Sequence, residues 1–130
     1  MKILFASALL LFLLPTARGQ SDIVSTREMD RINWMEFRDT VPSKIKTVLL
    51  PTGTLEPHGV VNNGADNTAP TALAKTIAKQ VNAMIAPTLP YGITGSMEAF
   101  PGAFQITETA YRPFVKQIIE ELFSEFAFSQ

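Results

Sequence analysis

The stretch Ile45-Lys-Thr-Val-Leu-Leu-Pro-Thr-Gly-Thr-Leu-Glu-Pro-His-Gly59 is the most informative part of the sequence. Residues 45–50 are mostly β-branched or apolar, and Pro51 closes the run, which predicts a buried strand. The following residues, 52–67, are rich in glycine and asparagine and predict a loop. A strand that leads through such a loop into a helix is typical of an α/β sheet.

Five further elements are predicted from apolar spacing, cap residues and helix breakers. They are a helix over 27–39, a helix from Asn67 or Thr68 to Asn82, strands over 83–86 and 103–106, and a helix from Thr107 or Thr109 through Leu122. A long loop, 87–102, separates the second and third strands. Such alternation implies parallel strands covered by helices. The predicted fold class is α/β, a partial three-layer αβα parallel sheet.

The number of predicted strands is low for a complete sheet of this kind. Two or three strands form a poor doubly wound sheet, and a short mature chain buries a limited core. We expect the truncated sheet to expose an apolar edge near Phe123, Phe126 and Phe128, which favours aggregation over a stable monomer. The sequence therefore predicts a truncated domain, either a gene fragment or a truncated product.

The first nineteen residues have the three parts of a secretory signal peptide. Lys2 supplies a positive start, residues 3–14 are almost entirely apolar, and Ala17 and Gly19 occupy the positions that a signal peptidase reads. The apolar run is shorter than the roughly 20 residues that a bilayer-spanning helix needs. We therefore expect a signal peptide over 1–19, a mature domain over 20–130, a secreted or periplasmic location, and no membrane attachment after cleavage.

Charge and cysteine content exclude several classes of function. Loss of Lys2 and Arg18 with the signal peptide leaves 9 of the 11 basic residues against 12 acidic ones. A net negative chain without a basic cluster argues against nucleic acid as a partner. The absence of cysteine excludes disulfides, thiol nucleophiles and cysteine-based zinc sites. His58 is the only histidine, which limits what imidazole chemistry the chain can offer.

The loop after the first strand carries the candidate metal ligands Glu56, His58 and Asp66. In extended backbone, Glu56 and His58 point to the same side. Two carboxylates and an imidazole suit Zn²⁺, Mn²⁺ or Fe²⁺, and ligands of open α/β sheets bind beyond the carboxyl ends of the strands. The spacing alone leaves two alternatives open: a loop histidine that only hydrogen-bonds a neighbour, and phosphate binding by the loop glycines at the helix N-terminus.

The segment Val48–Gly59, with its pattern Pro-x-Gly-x-x-Glu-x-His-Gly, resembles the opening motif of the creatininase (creatinine amidohydrolase) family. Asp66, close to the start of a predicted helix, matches the Asp that follows in that family. Leu89-Pro-Tyr-Gly92 and Phe100-Pro-Gly102 resemble its second and third landmarks, in the same order. The similarity covers roughly residues 34–122, nearly all of the mature chain.

The resemblance implies a metal-dependent amidohydrolase that cleaves a non-peptide C–N bond in a small, linear or cyclic amide. Glu56, His58 and Asp66 would be ligands of a two-metal site, with Asp66 as the bridge. The metal would be zinc or manganese, with iron as a further candidate. The partner would be a small-molecule amide substrate, and the family implies a homo-oligomer.

Three departures from the family pattern limit this expectation. Val60-Val61-Asn62-Asn63 stands where the family has a second His followed by Leu-Pro, which implies a substrate other than creatinine. Ala103 replaces a common Thr. The family takes its remaining ligands, a His and a Glu, from a C-terminal half that this sequence lacks, so we expect little or no activity from this chain alone. The alternative function is a secreted, non-catalytic α/β module that binds a small ligand or a partner through its glycine-rich loops.

Overall fold

The computed structural model describes residues 22–127. The predicted signal peptide over 1–19 lies outside the described residues, as does Phe128. In chain order the elements are α1 (Trp34–Thr40), β1 (Thr47–Leu49), α2 (Ala65–Ile77), β2 (Ala83–Ile85), a 3-10 turn (Gly95–Met97) and α3 (Glu108–Ala127). Within 22–127, none of the helices has the length and apolar character that crossing a membrane would require.

The two strands lie side by side and run in parallel, as the alternation of elements predicts. Val48 of β1 lies beside Met84 of β2. The pairing continues beyond the strands, because the Leu89 amide donates to the Pro51 carbonyl and the Gly53 amide donates to the Leu89 carbonyl, both at 2.9 Å. The segments that follow the two strands therefore leave the sheet together, at its carboxyl edge.

Helices cover both faces of this sheet. Successive side chains of a strand point to opposite faces. The face with Val48 and Met84 packs on α1 and α3, whereas the face with Leu49 and Ile85 packs on α2. The arrangement is an αβα sandwich around a short parallel sheet, and the predicted α/β fold class is confirmed.

The predicted helix beginning at Arg27 is wrong in its first half. The Met29 amide donates to the Ile85 carbonyl at 2.9 Å, and the Ile85 amide donates to the Arg27 carbonyl at 2.7 Å. Residues 27–29, the edge segment, therefore pair in parallel with the side of β2 that faces away from β1. Backbone groups beside an open strand gain partners from the sheet, and α1 begins only after its cap residue Asn33.

The third predicted strand, 103–106, is reduced to a single parallel bridge. Gly92 pairs with Gln105, and the Ile106 amide donates to the Gly92 carbonyl at 3.0 Å. The side-chain oxygen of Gln105 accepts the backbone amide of Thr94 at 2.7 Å. Isolated hydrogen bonds of this kind, including one from the Phe104 amide to the Leu55 carbonyl at 2.9 Å, hold the loop where a strand was expected.

The last helix continues five residues beyond its predicted end at Leu122, to Ala127. The extension carries Phe126 under the sheet, where its ring meets Phe37 edge-on at a centroid distance of 5.9 Å. Phe126 is only 4% exposed. Near the predicted apolar edge, Phe126 is therefore part of the core, whereas Phe123 of the same helix is 66% exposed.

Candidate metal site

The helix α2 begins earlier than the sequence predicts. It starts at Ala65, after Gly64, whose carbonyl accepts the amides of Asn67 at 3.0 Å and Thr68 at 2.9 Å. The predicted cap at Asn67 or Thr68 is wrong, because both residues already lie inside the first turn. Asp66 is consequently a residue of that turn, where the helix dipole favours a negative charge.

The first turn of α2 lies directly against the end of β1. A Cβ atom on Gly53 would lie 2.3 Å from the Asp66 carbonyl oxygen and 2.4 Å from the side-chain oxygen of Asn67. Real Cβ atoms do not approach backbone oxygens so closely, so only glycine fits here. The glycine thereby lets α2 present Asp66 at the carboxyl end of β1.

Glu56, His58 and Asp66 come together beyond this end of the sheet. His58 Nε2 lies 3.2 Å from Asp66 Oδ2 and 3.8 Å from Glu56 Oε1. One ligand-type atom from each of the three lies within 4.8 Å of the others. The structure thus assembles the three candidates at the carboxyl edge, and their role as metal ligands stays a prediction.

The three side chains differ in their access to solvent. The exposed fractions are 16% for Glu56, 31% for His58 and 46% for Asp66. Thr54 Oγ1 donates to Asp66 Oδ2 at 3.3 Å, and the Glu56 amide donates to the Asn63 carbonyl at 3.1 Å. Hydrogen bonds from neighbouring residues therefore hold the cluster in place, and its solvent-exposed side lies at Asp66, where a small molecule can approach.

The donor set and its spacing fit a divalent metal. Two ligand atoms at about 2.1 Å from one ion lie at most about 4.2 Å apart. Both separations from His58 Nε2 fall below that limit, and all three atoms lie within 4.8 Å of one another, so a small side-chain adjustment would let them share one ion. One imidazole and two carboxylates are ligands suited to zinc and manganese. Across residues 22–127 this is the only group of three His, Asp or Glu residues with such spacing.

Both later landmarks of the sequence pack against the loop that bears the cluster. Gly92 lies so close that a Cβ there would be 3.2 Å from the Gly53 carbonyl oxygen. Gly102 has φ of +90°, and a Cβ on it would lie 2.3 Å from Asn63 Nδ2. These glycines allow two parts of the long loop, 87–102, to pack closely against the segment between β1 and α2.

Sequence reasoning missed two residues that contact the cluster or its supporting loops. Thr54 donates to Asp66, and its position two residues before Glu56 places it on the same side of an extended chain, a signal that could have found it. Asn67 donates its side-chain amide to the Thr54 carbonyl at 3.0 Å and to the Pro90 carbonyl at 3.1 Å. No spacing rule links Asn67 to Pro90, so this contact was not predictable.

The fold and the cluster define an α/β protein with a candidate metal site at the carboxyl edge of a parallel sheet. Residues 30–126 match the creatininase family model, described as creatinine amidohydrolase. This match covers well over half of the chain. The chain belongs to the creatininase family.

Individual relatives agree with the family match. A creatinine amidohydrolase of Pseudomonas putida is 31% identical over an alignment 97 residues long, which covers 70% of this chain and 37% of that protein. A solved structure named creatininase Mn has a TM-score of 0.70 at 28% identity and covers 76% of this chain and 41% of its own. A mutant creatininase complexed with creatine has a TM-score of 0.69 at 28% identity, with 76% and 40% covered. The chain thus spans about two fifths of the length of these relatives.

Proposed function

We propose that this chain is part of a metal-dependent amidohydrolase that cleaves a non-peptide C–N bond in a small amide. Family membership supports the reaction class. The observation that carries the proposal is the convergence of Glu56, His58 and Asp66 beyond the carboxyl end of β1. A hydrogen bond alone would explain the contact between His58 and Asp66. It does not explain why the carboxylate of Glu56 lies beside them as well.

The proposed metal is zinc or manganese. Relatives support this choice, since one solved structure is named creatininase Mn and another is a mutant creatininase of the Zn-Zn type. When bound, such an ion supplies Lewis-acid chemistry toward the amide carbonyl and a water. The chain's own part is to hold the ion through His58 Nε2 and the two carboxylates, with Thr54 orienting Asp66.

The proposed substrate is a small amide that differs from creatinine. Val60 is fully exposed and Val61 is 51% exposed, immediately after the His58-Gly59 turn. These two apolar side chains stand where the family pattern has a second histidine. Exposed apolar side chains in the loop that bears the candidate ligands favour a substrate with an apolar portion over one that needs an imidazole partner.

Ligand counting limits the activity proposed for these 130 residues alone. A catalytic zinc usually has three protein ligands and a water, and a two-metal site needs more ligands than that. The chain offers one histidine and two carboxylates at the cluster. We therefore expect a single, weakly bound ion and little turnover unless further ligands are supplied.

The proposed place of action is outside the cytoplasm, in the periplasm or the external medium. The support is the sequence of residues 1–19, with a positive start, an apolar run and small residues before Gln20.

Metal titration tests the proposed function. Chelator-treated protein, without signal peptide and without a histidine tag, is titrated with Mn²⁺ and with Zn²⁺ in a calorimeter. We expect one ion to bind, and we expect His58→Ala and Asp66→Ala each to abolish binding because each removes a third of the ligand set. Asp30→Ala, which removes an exposed carboxylate elsewhere, is the matched control and should bind as the parent does.

The same titration distinguishes the rival function. A non-catalytic module that uses its glycine-rich loops for another ligand would bind no ion, or would bind equally well after His58→Ala. Either result would contradict the amidohydrolase proposal.

A further inference from the structure

The side-chain amide of Asn67 joins the two segments that leave the sheet. Its Nδ2 atom donates to the Thr54 carbonyl, which follows β1, at 3.0 Å and to the Pro90 carbonyl, which follows β2, at 3.1 Å. Both acceptors are carbonyl oxygens, so the orientation of the amide group is determined by its partners. Asn67 therefore fastens both segments to the first turn of α2.

The other half of this amide has no partner. Asn67 Oδ1 is buried and accepts no hydrogen bond, and it lies 2.4 Å from where a Cβ on Gly53 would be. Burying an unpaired acceptor is unfavourable. Within the described protein, the hydrogen bonds of this amide are therefore the pair made by Nδ2.

Those bonds close a small ring of contacts with the candidate ligand. Thr54 accepts the Asn67 amide at its carbonyl and donates its hydroxyl to Asp66 Oδ2 at 3.3 Å. Asp66 and Asn67 are neighbours in the rigid first turn of α2. Displacement of Thr54 would therefore move the hydroxyl that orients the Asp66 carboxylate.

We propose that Asn67 is a positioning residue, which sets Asp66 relative to Glu56 and His58 by holding the ends of both strands against α2. The inference rests on the proposed function, because it takes Asp66 to be a metal ligand. Outer partners that orient a ligand typically change metal affinity by about 10–100-fold when removed. A residue that merely attached α2 to the sheet would affect stability and leave the affinity unchanged.

The chain contains a matched structural control one helical turn away. Thr71 Oγ1 and Thr88 Oγ1 are 2.8 Å apart, which joins the same helix to the segment after the same strand. Thr71 Oγ1 also donates to the backbone carbonyl of Asn67 at 2.6 Å, but it makes no hydrogen bond to the Asn67 side chain. Loss of the Thr71 hydroxyl therefore removes the bond to Thr88 and a bond within the backbone of α2, while the side-chain bonds of Asn67 and the bond from Thr54 to Asp66 remain.

The experiment compares Mn²⁺ affinity in the parent chain, Asn67→Ala, Asn67→Ser and Thr71→Val, each without signal peptide. We expect the dissociation constant to rise about tenfold or more in both Asn67 variants, and to stay unchanged in Thr71→Val. The serine variant preserves a small polar side chain and provides the answer if the alanine variant does not fold. Equal effects of the Asn67 and Thr71 variants, or an unchanged affinity in the Asn67 variants, would overturn the proposal.

A measurement without metal separates this proposal from the proposed function. The Gly53 amide donates to the Leu89 carbonyl at 2.9 Å between the two segments that Asn67 fastens. Its hydrogen exchange should be faster in the Asn67 variants and unchanged in Thr71→Val, and an unchanged rate in the Asn67 variants would overturn the fastening role by itself. Absence of Mn²⁺ binding to the parent chain would refute the proposed function and this inference with it. Binding that Asn67→Ala leaves intact would refute this inference alone.

Discussion

At the scale of single residues, the site depends on how closely α2 approaches β1. Gly53 leaves no space for a side chain, and Asn67 and Thr54 make bonds across the junction. The ligand candidates Glu56 and Asp66 belong to different pieces of backbone, one in the loop and one in the helix. Their separation therefore reflects the fit between two elements more than the geometry of either residue.

Replacement of Gly53 by alanine tests this fit. The added Cβ would meet a backbone oxygen, which cannot move aside as a flexible side chain can. We expect the free energy of unfolding to fall by about 1–3 kcal/mol, as is usual for overpacking, measured by urea denaturation. Gly64→Ala is the control, because a Cβ there has its nearest neighbour, Asn62 Oδ1, at 3.6 Å. A Gly53 variant as stable as the Gly64 variant would show that α2 can shift freely.

At the scale of elements, α3 and the edge segment are each attached to the sheet by a few specific contacts. The final turns of α3 place Leu122 and Phe126 against the face of the sheet that carries Val48. The edge segment, residues 27–29, pairs with β2 and is held further by ion pairs of Arg27 and Glu28. Each attachment makes a separate prediction about stability.

Phe126→Ala should destabilise the fold strongly. The ring is buried and meets Phe37 edge-on, so truncation leaves a cavity between α1, α3 and the sheet. We expect a loss of about 3–5 kcal/mol in the free energy of unfolding, which is typical for a buried phenylalanine. Phe114 of the same helix is 56% exposed and is the matched control, for which we expect a small effect in the same denaturation experiment. Similar losses for both variants would contradict the observed burial of Phe126.

The ion pairs of the edge segment should make the stability of the fold depend on pH in the acidic range. Hydrogen bonds from the Arg27 guanidinium lower the pKa of Asp22, and a hydrogen bond from Lys75 lowers the pKa of Glu28. In the unfolded chain these pKa values are about 3.9 for Asp and 4.3 for Glu. Because the pKa values are lower in the folded chain, the two ion pairs stabilise the folded state fully when the pH lies above the unfolded values. This stabilisation is lost as the pH falls through the lower, folded values.

Thermal unfolding between pH 7 and pH 3 tests this dependence. A variant with Asp22→Asn and Glu28→Gln should unfold at a lower temperature than the parent chain at pH 7. The difference between the two should shrink as the pH falls below about 4, because protonation removes the same interactions from the parent. Asp30→Asn, at an exposed position, is the control. A difference that stayed constant down to pH 3 would show that these pairs do not carry the acid dependence.

At the scale of the whole molecule, the sheet has one protected side and one open side. Within the described part of the chain, the edge segment pairs with the outer edge of β2. The outer edge of β1 has no strand beside it among these residues. Apolar hollows of about 390 and 350 Å³ flank β1, one beside α3 and one beside α2. Unpaired strand edges with apolar surroundings invite association, and this side of the sheet is where it would occur.

Export is the prediction that concerns the complete polypeptide. We expect the secreted or periplasmic protein to begin at Gln20, because Ala17 and Gly19 place small residues at the two cleavage positions. N-terminal sequencing of material from an expressing cell decides this. An Arg18→Ala control should be cleaved at the same place, because the signal peptidase recognises the residues at positions 17 and 19 and not the residue between them. Recovery of a protein that still begins with Met1 would contradict the signal-peptide prediction.

The sequence by itself was sufficient for features that depend on neighbouring residues. The apolar run 45–50, closed by proline, predicted the strand whose ordered core is Thr47–Leu49, and Ala83–Ile85 was found within its predicted bounds. Glu56, His58 and Asp66 were singled out from their types and spacing and from a family pattern. Such features are local, since strand propensity and the alternation of side chains act over a few residues.

Only the tertiary structure decided features that depend on distant parts of the chain. Residues 27–29 left the predicted helix because the edge of β2 offers backbone partners more than fifty positions away. Phe126 is buried because Phe37 and the sheet lie beneath it, and Asn67 reaches Pro90 only after β1, α2 and β2 have packed. Local spacing carries no information about these partners, because the free energy that selects them arises when separate elements meet.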